Sequence, residues 1–444
     1  MAPRKTQEFC QTRPMKISVG DEMYSWAKEL FPINRSLTGD GVRKTLAFIR
    51  SHFENLRIYE VPSGTPAFDW IVPNEWSIND GFISDLNGKK LIDFKLNNLH
   101  VMGYSSPIDK IIIRDELEPH LHSIPNQPEA IPYVTSYYKE NFGFCMSQIQ
   151  RESLGDGPFH IFIDSKLFSG SLTYGELFIP GETKDEILFS TYVCHPQLAN
   201  NELSGPVVSM QLANYIYSLN SRKFSYRFLF TVETLGSIYY ISKHLEEMKK
   251  NIVAGWAVTC IGDDRTYSYV PTRHGNSLTD KVSRKVLKDL KQNYVEYSWL
   301  DRGSDERQYC SPGVDLPIGS LMRSKYGEYP EYHTSLDNLD VISPTGLQGG
   351  LEMLQRAVRI LELNDRWKIN TKCEPQLGKR GLYPNISTKS SGGEIENQMN
   401  VISYLDGEYD LIQIADICGI SFDEVVEIIE TLKQAGLVDL TKTS

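Results

Sequence analysis

Apolar residues between 158 and 365 follow two alternating patterns. Short continuous apolar runs such as 185–194 and 226–232 are typical of strands buried on both faces, whereas 203–219 and 236–248 show helical spacing of apolar residues. Buried strands that alternate with amphipathic helices predict a mainly parallel sheet covered by helices on both faces. In such a sheet, binding and catalytic residues are expected at the carboxyl ends of the strands.

The flanking segments show other patterns. Residues 19–55 predict two helices around a turn, and short proline-bounded runs between 57 and 150 predict a small β-rich module. A hairpin is expected across Asn87-Gly88, a pair that suits a tight primed turn. The block 393–440 predicts three short helices and a strand, as in a winged helix-turn-helix. We therefore divide the chain into an α/β domain over 1–56 and 151–370, a β-rich domain inserted over 57–150, and a winged helix over 385–444.

The charge of the chain is concentrated near its end. The 444 residues include 57 acidic and 46 basic side chains and carry a net charge of −11. Eleven acidic residues and one basic residue lie within 393–440, so this block carries −10 and the rest of the chain only −1. A DNA-reading helix must approach phosphates, which an acidic helix repels. We therefore expect the winged helix to contact another subunit or a partner protein rather than DNA.

The cysteines and the amino terminus bear on the compartment. The seven cysteines are scattered and no pair has CxxC spacing, which favours a reduced, cytoplasmic compartment. Residues 1–16 have positive charges but no apolar run behind them, so a secretory signal is not expected. The sequence contains no stretch of about 18 apolar residues, so no membrane span is expected.

Polar residues follow five predicted strands or loops of the α/β region: His195, Glu233, Asp263, Asp305 and His333. Imidazole and carboxylate groups are zinc ligands, and metal-assisted hydrolysis also needs a carboxylate base. Each residue has a structural alternative: His195 could simply be hydrogen-bonded, Asp263 could cap a turn, and Glu233 could cap the helix that begins near residue 236. The spacing fits a site that is assembled from separate loops.

Three arginines are predicted near the same mouth: Arg302, Arg307 and Arg323. A guanidinium group suits bidentate recognition of a substrate carboxylate. An internal salt bridge with Asp305 or Glu306 explains these arginines equally well.

Three segments resemble M28-type zinc aminopeptidases: 195–205 (HPQLANNELSG), 233–237 (ETLGS) and 332–337 (YHTSLD). The whole chain resembles bacterial aminopeptidase-like proteins of polysaccharide biosynthesis clusters, which join an M28-like domain, a small inserted β domain and a C-terminal winged helix. The resemblance implies an α/β zinc-exopeptidase fold with a mainly parallel mixed sheet, and metal ligation by His195 and His333.

The chain departs from the M28 pattern at three positions. Asn201 occupies the place of the aspartate that bridges two zinc ions, and a neutral amide is a poor bridge between two dications. Thr234 follows Glu233 where the family has a second glutamate, and Thr259 aligns with a ligand aspartate. One zinc ion is therefore expected rather than two.

The resemblance and its departures together predict a single-ion site. His195, His333 and a carboxylate from Glu202 or Asp263 would hold the ion, and Asp263 could serve only if the chain shifts locally. A metal-activated water would then attack an amide or peptide bond, with Glu233 as the general base.

The leading hypothesis is a metal-dependent hydrolase of a small peptide or amino-acylated substrate. Asn201, Asp305, Tyr332 and the three arginines are candidate substrate-binding residues, and Tyr332 could either donate to an oxyanion or only pack. Two alternatives stay open: a catalytically inactive peptidase-fold binding module, and a regulator that senses a ligand through its winged helix.

Overall fold

The computed structural model describes residues 18–382 and 389–441. Two predictions fall partly or wholly outside these residues. The segment 1–16, in which no secretory signal is expected, is one, and the predicted winged helix is the other, at its residues 385–388 and 442–444. An eight-stranded mixed sheet forms the centre of the main domain. Its strands in spatial order are Arg57–Pro62, Ser171–Ile179, Ser225–Thr231, Glu186–Tyr192, Ile252–Ala257, Ile318–Met322, Tyr267–Val270 and Tyr294–Glu296.

The four central strands are parallel, and helices cover both faces of the sheet. Every residue of the Glu186–Tyr192 strand is buried, with Phe189 in one core and Leu188 in the core on the opposite face. This double burial explains the continuous apolar run and confirms the predicted fold class. The helices of the main domain and its insertion are Val19–Leu30, Asp40–His52, Arg114–Leu117, Gln148–Ser153, Ser204–Ser218, Leu235–Asn251, Leu278–Leu290, Glu306–Tyr309 and Pro344–Leu363.

The inserted domain has other limits than 57–150. Arg57–Pro62 pairs with Ser171–Ile179 and so belongs to the main sheet. Phe159–Phe168, expected in the main domain, instead pairs with Glu75–Ser84 in the inserted sheet, so the insertion occupies 63–170. Apolar alternation identifies a strand but not its sheet, which depends on a partner distant in sequence. The four-stranded inserted sheet has the spatial order Lys90–Asp93, Glu75–Ser84, Phe159–Phe168 and Ile108–Ile112, and the short pairs are Pro66–Ala67 with Trp70–Ile71 and Leu121–His122 with Phe144–Cys145.

The predicted hairpin forms between Glu75–Ser84 and Lys90–Asp93, but its turn is not a primed one. Only Gly88 has a positive φ, of 84°, and its N–H donates to the carbonyl of Asp85 over 3.1 Å. A primed type I′ turn needs positive φ at two residues, whereas a longer loop with one left-handed glycine needs it at one.

The winged helix begins near residue 365 rather than 385. Arg366–Ile369 is the central strand of its three-stranded sheet, between Asp406–Asp410 and Val438–Leu440. The main domain therefore ends before 370. The helices of the winged domain are Lys389–Ser403, Leu411–Cys418 and Phe422–Gln434.

The winged helix packs against the main domain through charged contacts. The Nζ atom of Lys285, which is buried, donates to the carbonyl of Ile420 at 2.9 Å and lies 3.1 Å from Asp289. The N–H of Phe422 donates to Asp289, and Arg359 donates to Asp423. The amino end of the third winged-domain helix therefore lies against the main domain.

No helix within 18–382 or 389–441 is both long and apolar enough to span a bilayer.

Candidate active site

His195 lies just beyond a central strand of the main sheet. The chain stays in the sheet one residue past Tyr192, because the N–H of Val193 donates to the carbonyl of Thr231 at 2.8 Å. The imidazole of His195 follows at the carboxyl end of the sheet, and only 5% of this side chain is exposed. This is the position that the sequence predicts.

Glu202 orients His195 from behind. One of its carboxylate oxygens accepts hydrogen bonds from the backbone N–H and from Nδ1 of His195, each at 3.0 Å. The other oxygen lies 3.1 Å from Nε of Arg35, in an ion pair whose two side chains are fully buried. A carboxylate that holds Nδ1–H leaves Nε2 of the imidazole to act as a ligand. These contacts favour an orienting role for Glu202 over the predicted ligand role.

Cys194, His195 and Glu202 place potential donor atoms within 4.8 Å of one another. The Sγ atom of Cys194 is 3.6 Å from Nδ1 of His195, the ring nitrogen that Glu202 already holds. The Arg35 guanidinium occupies the other side of the Glu202 carboxylate, and its positive charge would repel a metal ion bound there. We therefore place the candidate metal position on the Nε2 side of His195.

Glu233 faces His195 on that side. Its Oε2 lies 3.5 Å from Nε2 of His195, and its Oε1 accepts a hydrogen bond from the Ser304 hydroxyl at 3.1 Å. Burial raises the pKa of Glu233, with His195 and Arg307 opposing the shift. A raised pKa suits a carboxyl group that accepts a proton and passes it on near neutral pH.

A strained turn presents Glu233. Thr234 has φ 65° and is the cap of the Leu235–Asn251 helix, so Glu233 is not that cap. Gly236 lets this helix approach the strand closely, because a Cβ there would lie 2.2 Å from the Thr231 hydroxyl oxygen. The backbone strain and the close approach both act to direct Glu233 into the site.

His333 faces His195 from a different loop. The ring centroids are 5.4 Å apart, and the buried Nε2 of His333 has no hydrogen-bond partner within 18–382 and 389–441. Burial, with a smaller effect of His195, lowers the pKa of His333 to about 3. A neutral imidazole with an unused nitrogen is the form that binds a metal ion.

Asn201 supplies a third unused donor. Its Nδ2 donates to the Tyr192 hydroxyl at 2.8 Å, and its buried Oδ1 has no partner in the described part of the chain. Asp337 holds the backbone here, since its carboxylate accepts the N–H groups of Asn200 and Asn201 at 2.7 and 2.9 Å. Thr259, at the family's aspartate position, donates to the carbonyl of Asn201 and so supports the same turn.

Asp263 is held by its own surroundings. Its two oxygens accept hydrogen bonds from the backbone and hydroxyl of Ser324, the N–H of Arg265 and the side-chain amide of Asn200, all within 3.1 Å. These four donors fix the loop that follows the Ile252–Ala257 strand. The structure therefore assigns Asp263 a structural role, not the predicted ligand role.

Asp305 lies behind Glu233 rather than at the mouth of the site. It accepts hydrogen bonds from the N–H of Thr234 at 2.8 Å and from the Ser237 hydroxyl at 2.9 Å. Burial, together with the charge of Glu233, raises the pKa of Asp305 to about 7. Asp305 thus holds the turn that carries Glu233 and is not placed to contact substrate.

Only one of the three predicted arginines reaches the site. Arg302 is exposed and stacks on Trp299, and Arg323 is buried against the ring of Tyr267. Arg307 donates from Nη2 to the Thr234 hydroxyl at 2.7 Å, beside Glu233.

Aromatic rings cover the two histidines. Tyr332 stacks on His333 with ring centroids 4.0 Å apart, which agrees with the packing role that was one of its two predicted roles. Tyr133, from the inserted domain, lies 5.2 Å from both imidazoles, and its N–H donates to the carbonyl of His333. Tyr133 and Arg35 are not among the site residues predicted from the sequence, because neither follows a strand of the main sheet.

Comparisons with known proteins agree with this architecture. Residues 24–364 match a family described as a domain of unknown function, DUF4910, and residues 365–440 match a winged helix-turn-helix family. A Clostridium acetobutylicum protein, whose name refers to polysaccharide biosynthesis and to an aminopeptidase-like domain, is 45% identical over 423 residues, covering 95% of this chain and 96% of the relative.

Solved structures show the same fold. A crystal structure from Clostridium acetobutylicum, described as a peptidase, has a TM-score of 0.89 at 43% identity and covers 95% of this chain and 96% of its own. The zinc aminopeptidase BSAP of Bacillus subtilis has a TM-score of 0.55 at 15% identity, covering 79% of this chain and 96% of its own. An M28 peptidase precursor of Shewanella amazonensis has a TM-score of 0.53 at 12% identity, covering 81% and 96%. The chain therefore belongs to the DUF4910 family and joins an aminopeptidase-like domain of M28 fold to a C-terminal winged helix.

Proposed function

We propose that the chain is a zinc-dependent hydrolase that cleaves an amide or peptide bond of a small peptide or amino-acylated substrate. The observation that carries this proposal is that His195 faces both Glu233 and His333: Oε2 of Glu233 lies 3.5 Å from Nε2 of His195, and the two imidazole centroids are 5.4 Å apart. The name of the Clostridium relative supports a place for the reaction in polysaccharide biosynthesis.

The donor set fits one zinc ion better than two. Nε2 of His195, Nε2 of His333 and Oδ1 of Asn201 are potential ligand atoms, of which the last two are buried without hydrogen-bond partners among the described residues. Two imidazoles bound to one tetrahedral ion at about 2.0–2.1 Å have ring centroids roughly 5 Å apart, close to the 5.4 Å observed. These three residues would hold the ion, which when bound would polarise the scissile carbonyl.

Glu233 performs the proton transfers. Its Oε2 takes a proton from the attacking water and then donates that proton to the leaving nitrogen, so that the carboxylate is restored. The Ser304 hydroxyl fixes Oε1, and the turn held by Asp305 aims the carboxyl group. Tyr133 and Tyr332 exclude bulk water from the two imidazoles.

Metal content and turnover test the proposal together. Zinc should copurify with the protein, and amino acids should be released from a mixture of short peptides. Glu233→Gln should lower kcat by about 10²–10⁴-fold with zinc retained, whereas the double variant His195→Ala/His333→Ala should lose both. Glu328→Gln and His244→Ala, at partly exposed positions outside the site, are the matched controls. Zinc retention without any release would refute the hydrolase and support a binding module, and release that survives Glu233→Gln would refute the assigned base.

We further infer that the winged helix does not read DNA and has a protein-binding role between domains, subunits or partners. In a helix-turn-helix the amino-terminal residues of the recognition helix contact base edges. Here the corresponding end, at Phe422 and Asp423, contacts Asp289 and Arg359 of the main domain. A salt-sensitive, sequence-specific gel shift by the full chain would contradict this inference.

A further inference from the structure

Arg307 forms no ion pair with a carboxylate of the described residues. Its Nη2 donates to the hydroxyl of Thr234, a neutral acceptor, and its buried Nε has no hydrogen-bond partner within 18–382 and 389–441. No carboxylate oxygen of the described residues lies within the 4.0 Å of its nitrogen atoms that defines an ion pair. A partly buried guanidinium without an anion is costly, so such a group marks a place where an anion binds.

Neither of the two expected internal partners lies within ion-pair distance of Arg307. Oδ1 of Asp305 accepts from the N–H of Thr234 and the hydroxyl of Ser237, and its Oδ2 has no hydrogen-bond partner among the described residues. Glu306 accepts from Tyr326 at 2.5 Å and from the backbone N–H groups of Gly303 and Ser304. The internal salt bridge that the sequence allowed is therefore absent from the structure, and the substrate-binding interpretation of Arg307 gains weight.

The location of Arg307 indicates where the anion would lie. The hydrogen-bond partner of Arg307, Thr234, adjoins Glu233 in the chain, so the guanidinium borders the proton-transfer group. Burial raises the pKa of Tyr332, which stacks on a site histidine, and the charge of Arg307 opposes that shift. An anion beside Arg307 would thus be close to the scissile bond.

We propose, building on the hydrolase function above, that Arg307 binds the free carboxylate of a dipeptide-sized substrate, on the leaving side of the scissile bond. A single guanidinium matches one carboxylate through two parallel hydrogen bonds. A phosphate dianion would place a second negative charge beside Glu233 with no further cation from Arg302 or Arg323, which lie elsewhere. Substrates of this class are dipeptides or N-acylated amino acids rather than long chains.

Binding to protein that cannot turn over its ligand tests the subsite. Ligand-observed NMR on the Glu233→Gln variant, in zinc-containing buffer, would compare alanyl dipeptides having a free carboxyl group with the matching dipeptide amides. We expect the free acids to bind about 10–100-fold more tightly than the amides, the range of one charge-assisted pair. Adding Arg307→Gln should remove this difference by weakening acids alone, whereas adding Arg302→Gln, at an exposed arginine outside the site, should retain it.

Two additional arms separate the charge of Arg307 from its contact with Thr234 and from phosphate binding. Thr234→Val removes the hydrogen-bonded hydroxyl and should retain the preference for free acids, while inorganic phosphate should not displace the dipeptides. The proposal would be overturned if acids and amides bound equally, or if no dipeptide bound. It would also be overturned if the preference for free acids survived Arg307→Gln or was lost with Thr234→Val, or if phosphate displaced the dipeptides.

Turnover distinguishes this proposal from the proposed function. Hydrolysis of dipeptide amides as fast as free acids, with equal binding of the two, would overturn the carboxylate subsite and leave the hydrolase intact. Selective binding of free acids with no hydrolysis by the Glu233-containing protein would uphold the subsite and overturn the hydrolase.

Discussion

Removing the charge of Glu202 should weaken the fold and the metal site by different amounts. Glu202→Gln leaves Arg35 buried without its counter-ion and replaces the charged acceptor of Nδ1 of His195 with a neutral amide oxygen. Breaking one partner of a buried ion pair costs about 3–5 kcal/mol in the free energy of unfolding. Since Nε and Nη1 of Arg35 keep the carbonyls of His195 and Leu30 as acceptors, at 2.9 and 2.8 Å, we expect the lower end, about 3 kcal/mol.

A double-mutant cycle in urea unfolding, carried out with chelator present, measures the pair. Arg35→Met alone should cost about as much as Glu202→Gln, because it leaves Glu202 as the uncompensated charge. The double variant should cost less than the sum of the singles by about 1–3 kcal/mol, since both buried charges are then gone.

Zinc titration against a chromophoric chelator tests the orienting role. A group that only orients a ligand histidine changes metal affinity by about 10–100-fold, whereas loss of His195 as a ligand should abolish measurable binding. The orienting role of Glu202 would be refuted if Glu202→Gln abolished zinc binding without any loss of stability, because Glu202 would then be a ligand and not the partner of Arg35.

Three further variants test the surroundings of the site. Lys285→Ala should cost about 3–5 kcal/mol in urea unfolding, because Lys285 is buried, whereas Lys288→Ala, at a 57% exposed position, should cost less than about 1 kcal/mol; equal losses would contradict the buried link to the winged helix. The pKa of about 7 for Asp305 lies above its unfolded value, so the native state binds the extra proton and loses stability as pH rises from about 4 to 7. The unfolding free energy of Asp305→Asn should therefore rise by at least about 1 kcal/mol relative to that of the wild type between pH 5 and pH 8. If the difference in unfolding free energy between the two proteins stayed the same over this pH range, this titration of Asp305 would be excluded. Gly236→Ala should lower the free energy of unfolding by about 1–3 kcal/mol and lower kcat, because the added Cβ would lie 2.2 Å from a threonine hydroxyl. In the control Gly155→Ala the added Cβ meets no atom within 4 Å. Similar unfolding midpoints for the two variants would argue against the close approach at Gly236.

The framework of the aminopeptidase-like domain and its principal candidate site residues could be predicted from the amino-acid sequence alone. Buried strands and amphipathic helices follow from local periodicity, and parallel strands bring their carboxyl ends to one edge. His195, Glu233 and His333 could therefore be placed at one site before the structure was known. The acidic character of the winged helix is likewise a property of composition.

The polar groups with unused ligand atoms could be identified only in the folded protein. Glu202 and Asp263 looked like ligands in the sequence, but Glu202 orients His195 and forms an ion pair with Arg35, and donors that include Ser324 hold the oxygens of Asp263. Arg307 was indistinguishable from Arg302 and Arg323 until its missing counter-ion could be seen. Such contacts join residues from separate loops, and the sheet assignment of Phe159–Phe168 depends on an equally distant partner. Hydrophobic periodicity describes which face of an element is buried, whereas the pairing of individual polar groups depends on the three-dimensional course of the loops.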